Sequence, residues 1–128
     1  MNKKNCLLLP FVMLFSCSAS LDESAITAEI ETNLNEIRQA QLDLLIVGDF
    51  TPCGTATEAK AQASTTPRDW IPQKCWTKIG WAPSSAVSAG YWVEVAKDDF
   101  TVHGVGPDQP TGRIHMIATQ SSKASRMK

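Results

Sequence analysis

The chain has 128 residues, 43% of them hydrophobic, and a formal net charge of −1. This length suits one compact domain and is too short for two domains that each bury a core of ordinary size. The net charge is close to zero and the sequence has no run of like charges, so it does not predict the basic surface that nucleic-acid binding requires. Nucleic acid is therefore excluded as a partner.

The N-terminal stretch, residues 1–16, predicts a signal peptide. It has a short basic start followed by an apolar core at residues 6–15, which is too short to cross a bilayer, since a spanning helix needs roughly 20 residues. A retained transmembrane helix is therefore the weaker interpretation. Leu14-Phe15-Ser16-Cys17 resembles the lipobox of bacterial lipoproteins, whose cysteine becomes the acylated first residue of the mature chain. The alternative is ordinary cleavage after Ala19, which would remove Cys17.

The lipobox resemblance implies an address in the cell envelope. Lipid attachment is expected at Cys17, with residues 17–24 as the lipidated tether, and the acyl chains would supply the membrane contact. Because Ser18 rather than an aspartate follows the cysteine, the sequence resembles lipoproteins sorted to the outer membrane. We therefore expect a lipid-anchored protein of the outer membrane that faces the periplasm.

Residues 25–47 predict a long amphipathic helix, because apolar residues recur there at steps of three and four. The apolar face consists of Ile26, Ile30, Leu34, Ile37, Ala40, Leu44 and Val47. The polar residues predicted to face solvent are Glu29, Glu31, Asn33, Asn35, Arg38, Gln39 and Asp43. Ser20 and Glu23 have the spacing of a capping box, and Gly48 suits a left-handed residue at the helix end.

Residues 51–72 lack a helical or a strand period and predict a long loop, with one short helical turn at residues 56–63. Cys53 and Cys75 bracket this loop. In an exported protein such a pair predicts a disulfide, and closing a loop of about 20 residues contributes roughly 3 kcal/mol to stability. Metal binding or redox chemistry is the alternative, but the sequence has no C-x-x-C and no nearby histidine.

The last third of the chain alternates with period two, which predicts strands. The residues that share one face in three successive strands are Tyr91, Val93 and Val95, then Phe100 and Val102, then Ile114, Met116 and Ala118. Residues 74–80 are a shorter candidate strand. We expect an α+β domain at residues 25–119, in which the long N-terminal helix packs on a three- to four-stranded antiparallel meander, followed by a polar C-terminal tail at residues 120–128.

This order of elements resembles the globular part of type IV pilins and type II secretion pseudopilins. The matching residues are Asn33-Leu34-Asn35-Glu36-Ile37, Gly80-Trp81-Ala82-Pro83, Tyr91-Trp92-Val93 and Phe100-Thr101-Val102. The resemblance implies a pilin-like fold. The prepilin signature and its hydrophobic half-helix are absent, which puts a pilus-subunit role in doubt. Residues 104–112 contain only Asp108 where some pseudopilins have an acidic calcium loop, so no structural metal is predicted.

His103 and His115 are the only histidines. A pairing of Val102 with Met116 would place the two histidines opposite each other on one side of the sheet. Two imidazoles could hold zinc or copper, but a closed site needs two more ligands. Solvated histidines on neighbouring strands are therefore the favoured interpretation, with no metal and no cofactor.

Other candidate residues point to a non-catalytic protein. Ser84, Ser85 and Ser88 lie in a loop without the G-x-S-x-G pattern. Trp92 is out of phase with Val93 and is expected to be exposed, whereas the other tryptophans should be core or loop-covering. We therefore predict an envelope interaction or scaffold module with a protein partner. The alternatives are a ligand-binding lipoprotein that uses aromatic residues around residues 80–90, a pilin-related subunit and, last, an enzyme built on the two histidines.

Overall fold

The computed structural model describes residues 22–71, 73–110 and 112–127. The predicted signal peptide and Cys17 lie outside these residues. The elements are α1 (Glu23–Val47), α2 (Ala56–Gln62), α3 (Lys74–Ile79), β1 (Gly90–Ala96), β2 (Asp99–Val105), β3 (His115–Thr119) and β4 (Ser125–Arg126). The strands form one antiparallel sheet in the order β1-β2-β3-β4. The predicted α+β fold, a long helix on an antiparallel meander, is confirmed and is consistent with a pilin-like description.

The long helix α1 is capped by Asp22, the residue before its start, whose carboxylate accepts a hydrogen bond from the Ala25 N–H at 2.8 Å. Ser20 of the predicted capping box lies outside the described residues. The helix ends at Val47 as expected, but Gly48 is extended (φ 172°) rather than left-handed, and its N–H donates to Leu44 O at 2.8 Å. Among the described residues, no helix is both long enough and apolar enough to cross a bilayer.

The core lies between α1 and the inner face of the sheet. Four apolar residues of the helix have no exposed surface, namely Ile26, Ile30, Leu34 and Ile37. They belong to one apolar cluster with Val93, Val102 and Met116, as the sequence predicts. The stripe stops before Val47, which is 81% exposed, whereas Leu44 in the last turn is partly buried against the core. The prediction for Val47 was therefore wrong.

The polar side of α1 is not wholly solvated. Asn33 is buried, and the Arg38 guanidinium donates to the carbonyl oxygens of Thr119 and Gln120 at 2.7 and 3.0 Å. Gln41 is fully buried and exchanges two hydrogen bonds with the Thr51 backbone. The expectation of a solvated face fails at Asn33 and Arg38 because segments remote in sequence fold against the helix. Gln41 was not among the residues expected to face solvent, and it lies four residues after Ile37, in phase with the apolar stripe.

The disulfide between Cys53 and Cys75 is present and closes a loop with a sequence separation of 22 residues. The predicted helical turn within this loop is α2. Residues 74–80, predicted as a strand, instead contain α3, which buries Trp76 and Ile79 and ends at Gly80 in the left-handed region. The pattern misled because a short apolar run does not distinguish a strand from a helix.

The register between β2 and β3 differs from the predicted one by two residues. Val102 pairs with Ala118, not with Met116, and the ladder continues to Gly106, whose N–H donates to Ile114 O. A shift of two residues keeps each side chain on its expected face. In addition, β4 forms within the predicted polar tail and completes the four-stranded sheet.

Candidate functional site

The outer face of the sheet, opposite α1, carries a compact group of side chains from β1, β2 and β3. This outer-face cluster consists of Trp92, Glu94, His103 and His115. Helix α2 packs against the same face, and Ala59 forms a small second core with Trp92 and Val105. The close approach requires Gly90, because a Cβ there would overlap the Ala59 carbonyl.

The His103 ring is held by a parallel stack on Trp92. Their ring centres are 4.2 Å apart and their planes differ by 2°. The two residues are paired directly across β1 and β2, and only 8% of His103 and 5% of Trp92 is exposed. The predictions that His103 and Trp92 are exposed to solvent were therefore wrong. The period-two pattern assigns a residue to one face of the sheet but does not show what covers that face.

Both ring nitrogens of His103 have partners. Nε2 lies 3.0 Å from Glu94 Oε1, and Nδ1 lies 3.0 Å from His115 Nε2. A carboxylate only accepts hydrogen bonds, so we assign the His103 proton to Nε2. His103 Nδ1 is then the acceptor for His115 Nε2–H, which gives a directed chain from His115 through His103 to Glu94.

The electrostatic surroundings favour a neutral His115. Partial burial lowers the pKa of its imidazole, and the neighbouring His103 and Lys60 lower it further, while Glu94 acts in the opposite direction. In the described part of the chain, no set of three or more His, Cys, Asp or Glu side chains is arranged to hold a metal ion. The cluster can relay a proton or offer imidazole nitrogens to a ligand.

A second polar group lies between α1 and the segment before β1. The Glu29 carboxylate accepts from the N–H groups of Ser88 and Ala89 at 2.8 and 3.0 Å and from the Tyr91 hydroxyl at 3.0 Å. Asn33 donates to the same hydroxyl at 3.0 Å. Burial and the Glu29 charge raise the pKa of Tyr91 well above its usual value, so the phenol stays neutral. These bonds fasten α1 to the chain that enters the sheet.

Four aromatic rings form a third feature beside the disulfide. The rings of Trp70, Trp76, Trp81 and Tyr91 pack with centres 5.3 to 6.2 Å apart. Three of these residues, Trp70, Trp76 and Tyr91, help line a cavity of about 60 Å³ together with Gln62. Among the described residues, the buried atoms Trp70 Nε1 and Gln62 Nε2 have no hydrogen-bond partner. The cavity therefore combines aromatic walls with side chains that carry two unsatisfied donors.

The sequence-predicted residues are distributed among these features. The structure brings His103 and His115 together, as expected from their shared face, and joins Cys53 to Cys75. The roles of Trp92, Glu94, Glu29 and Asn33 were not predicted. Glu94 shares strand parity with Trp92, so the pattern itself could have identified it as a neighbour of His103.

Comparison with protein-family models, with curated proteins and with solved structures finds no match to this chain.

Proposed function

We propose that this protein is a lipid-anchored, non-catalytic interaction module of the cell envelope, attached to the outer membrane through Cys17 and facing the periplasm. The observation that carries this proposal is the aliphatic end of α1, which consists of Leu45, Ile46 and Val47. Their exposed fractions are 49%, 84% and 81%. The three side chains surround the last turn of one helix, and a group of exposed apolar side chains at one end of a helix favours a contact with another protein.

The position of the aliphatic end suits such a contact. Helix α1 has 25 residues and spans roughly 36 Å at 1.5 Å per residue. It begins at Glu23, a few residues after the proposed lipid at Cys17, and the intervening chain reaches at most about 20 Å when extended. A lipid at Cys17 would keep the start of α1 near the bilayer and leave the aliphatic end accessible to a protein in the aqueous compartment.

The disulfide also supports the proposed location. The Cys53–Cys75 bridge forms in the folded chain, and structural disulfides persist in oxidising compartments such as the periplasm. Reducing compartments keep such thiols free. A domain stabilised by a disulfide is therefore suited to the oxidising part of the cell envelope.

Site-specific photocrosslinking of the full-length protein in envelopes tests the interaction. A photoreactive residue at Ile46 should capture a partner, because this side chain is 84% exposed at the aliphatic end. The matched control is the same residue at Thr32, which is exposed on the same helix. Equal capture at both positions, or none at Ile46, would contradict the proposal.

The anchor has its own test. A Cys17→Ala variant should lose metabolic palmitate labelling and accumulate as unprocessed precursor. A variant that is cleaved normally and released into the periplasm would show that Cys17 is not the lipid attachment site, without bearing on the aliphatic end.

A second candidate function is ligand binding in the aromatic cavity, favoured by the unpaired donors of Trp70 and Gln62. A compact neutral ligand with oxygen acceptors fits this chemistry, because a buried donor without a partner costs about 1–3 kcal/mol. Acetamide, which carries one carbonyl oxygen and is small enough for a cavity of about 60 Å³, is a suitable probe for saturation-transfer NMR. Trp70→Phe keeps the aromatic ring and removes the N–H, so undiminished binding by that variant would exclude this cavity.

A further inference from the structure

We propose that the outer-face cluster makes the contact between α2 and the sheet sensitive to acid. Neutral histidines keep α2 on the outer face, and protonation of both His103 and His115 releases α2 and uncovers Trp92. The geometric basis is the hydrogen bond between the facing nitrogens of the two histidines, which are 3.0 Å apart. This device is independent of the aliphatic end and of the lipid anchor.

The hydrogen bond between the histidines survives one added proton but not two. The first proton, on the remaining nitrogen of His115, leaves its Nε2–H donating to His103 Nδ1. The second proton, on His103 Nδ1, places two N–H groups opposite each other, because an imidazolium has a donor on both nitrogens and no acceptor. Two imidazoles this close take up their protons in two steps, and the bond is lost at the second step.

A protonated His103 needs water that the closed outer face does not supply. Only 8% of His103 is exposed, one face of its ring is covered by Trp92, and Nε2 already donates to Glu94. The new Nδ1–H therefore has no acceptor, and a buried charged donor without a partner is unfavourable. Helix α2 packs on both strands that carry this stack, so water reaches the ring when α2 moves away.

Lys60 on α2 connects the charge of the histidines to the position of the helix. Partial burial, the neighbouring His103 and Lys60 lower the pKa of His115, and Glu94 on β1 acts in the opposite direction. The effect is reciprocal, because a proton on His115 repels the Lys60 ammonium. Protonation therefore favours the movement of α2 away from the sheet.

The other charged groups on these elements have partners away from the two histidines. Glu58, in the first turn of α2, accepts a hydrogen bond from the capping hydroxyl at 3.3 Å. Asp99, at the start of β2, accepts from the next N–H along the chain. On β4, Ser125 shares the outer face, whereas Arg126 lies on the inner side and pairs with Glu23. Among the described residues of these elements, Lys60 is thus the cation that acts on His115.

The contact between α2 and the sheet is small enough to open without unfolding the domain. It is an apolar contact in which Ala59 and the partly buried Ala56 pack against Trp92 and Val105. Alanine methyl groups bury little apolar surface, so this contact stabilises less than the aliphatic stripe of α1. The helix lies within the loop closed by the disulfide, so it can leave the face while both ends of the loop stay attached.

The direction of the pH dependence follows from His115. Its pKa in the closed form lies below the ordinary value of 6.5, so the open form binds protons more readily. The closed contact is therefore fully stable above about pH 6.5 and loses stability as the pH falls from there through the lower pKa of the closed form. The opening constant should rise by up to about tenfold per pH unit for each proton taken up.

Hydrogen exchange of the detergent-solubilised full-length protein between about pH 7.5 and about pH 5 tests the proposal. Protection factors, which correct for the pH dependence of intrinsic exchange, should fall for the amides of α2 and stay constant for those of α1. Acrylamide quenching should increase over the same range as Trp92 is uncovered. Constant protection of α2 would overturn the proposal. A parallel fall in both helices would also overturn it, because acid would then unfold the whole domain.

Three variants separate the histidine pair from other acid effects. In His115→Gln, the side-chain amide can donate to or accept from His103 Nδ1, so the protection of α2 should barely change with pH. Lys60→Gln removes the repulsion and should shift opening to lower pH. Lys78→Gln, exposed on α3, is the matched control and should open as the wild type does.

Protection of the α1 amides at about pH 7.5 verifies that each variant is folded. Wild-type opening in a folded His115→Gln would overturn the proposal. Wild-type opening in Lys60→Gln would contradict the repulsion between α2 and the histidines.

Discussion

The two faces of the sheet are both covered, but by parts of the chain that reach the sheet in different ways. The inner face, with Val93 and Val102, packs against α1, whose apolar stripe lies on one continuous helix. The outer face, with Trp92 and His103, packs against α2, a helix of seven residues inside the disulfide-closed loop. Burial of the inner face therefore follows from the local sequence pattern of α1. Burial of the outer face depends on the position of the disulfide-closed loop that carries α2.

The largest effect should come from the inner face. Leu34→Ala or Ile37→Ala should lower the free energy of unfolding by about 2–5 kcal/mol, because both side chains are fully buried and the truncation leaves a cavity. Urea midpoints measure the loss. Val47→Ala, on the same helix but 81% exposed, is the control and should change stability by at most about 0.5 kcal/mol. Similar midpoints for Leu34→Ala and the control would contradict the inner-face core.

Removal of the disulfide should distinguish the faces. Replacing Cys53 and Cys75 together by alanine should cost roughly 3 kcal/mol, because the reduced chain regains the freedom of the closed loop when it unfolds. Hydrogen exchange should also show the amides of α2 losing protection before those of α1. Equal loss in both helices would mean that the loop closure does not hold α2 on the outer face.

A smaller and more local effect should follow from Gly90→Ala. The new methyl group would overlap the Ala59 carbonyl, so α2 must move away from the outer face, at a cost of about 1–3 kcal/mol. Acrylamide quenching should show Trp92 becoming accessible. Gly48→Ala is the matched control, because its Cβ would meet none of the described atoms within 4 Å and its extended backbone suits alanine. Unchanged quenching in Gly90→Ala would indicate that α2 is not what shields Trp92.

The smallest expected effect on stability at neutral pH comes from the ionisation of Tyr91, the single tyrosine of the chain. Its pKa in the folded protein is raised by burial and by Glu29, so the folded state holds the proton above the ordinary value of about 10. Its contribution to stability is therefore complete below pH 10 and is lost as the pH rises through the higher folded pKa. Tyrosinate absorbance near 295 nm should appear only together with unfolding. A titration near pH 10 that leaves the circular dichroism intact would refute the buried phenol.

The sequence predicted the inner face better than the outer one for physical reasons. Steps of three and four place Ile26 to Ile37 on one side of a helix, and period two selects Val93 and Val102 as their partners, so both signals are local. Cys53 and Cys75 were identified because they flank a segment without periodicity. These features together give the fold class.

The missing details required contacts between distant segments. Asn33 is buried where it contacts Tyr91, 58 residues away, so no local pattern separates it from solvated polar residues. Gln41 does lie in phase with the apolar stripe, but its partner, the Thr51 backbone, does not follow from the helical pattern. Residues 74–80 are too few to show a period. The outer-face cluster needed the strand register and the position of α2, neither of which follows from hydrophobic alternation.

The ion pair between Arg126 and Glu23, 2.7 Å long, brings the last strand beside the first turn of α1. An exposed pair of this kind adds little stability, but it shows that the two ends of the folded domain are neighbours. Domains with adjacent termini tolerate circular permutation. Consider a permuted chain that is opened at Lys97-Asp98 and has its former ends joined by a short flexible linker. It should regain the same fold and still expose the aliphatic end, with its new termini in the turn between β1 and β2.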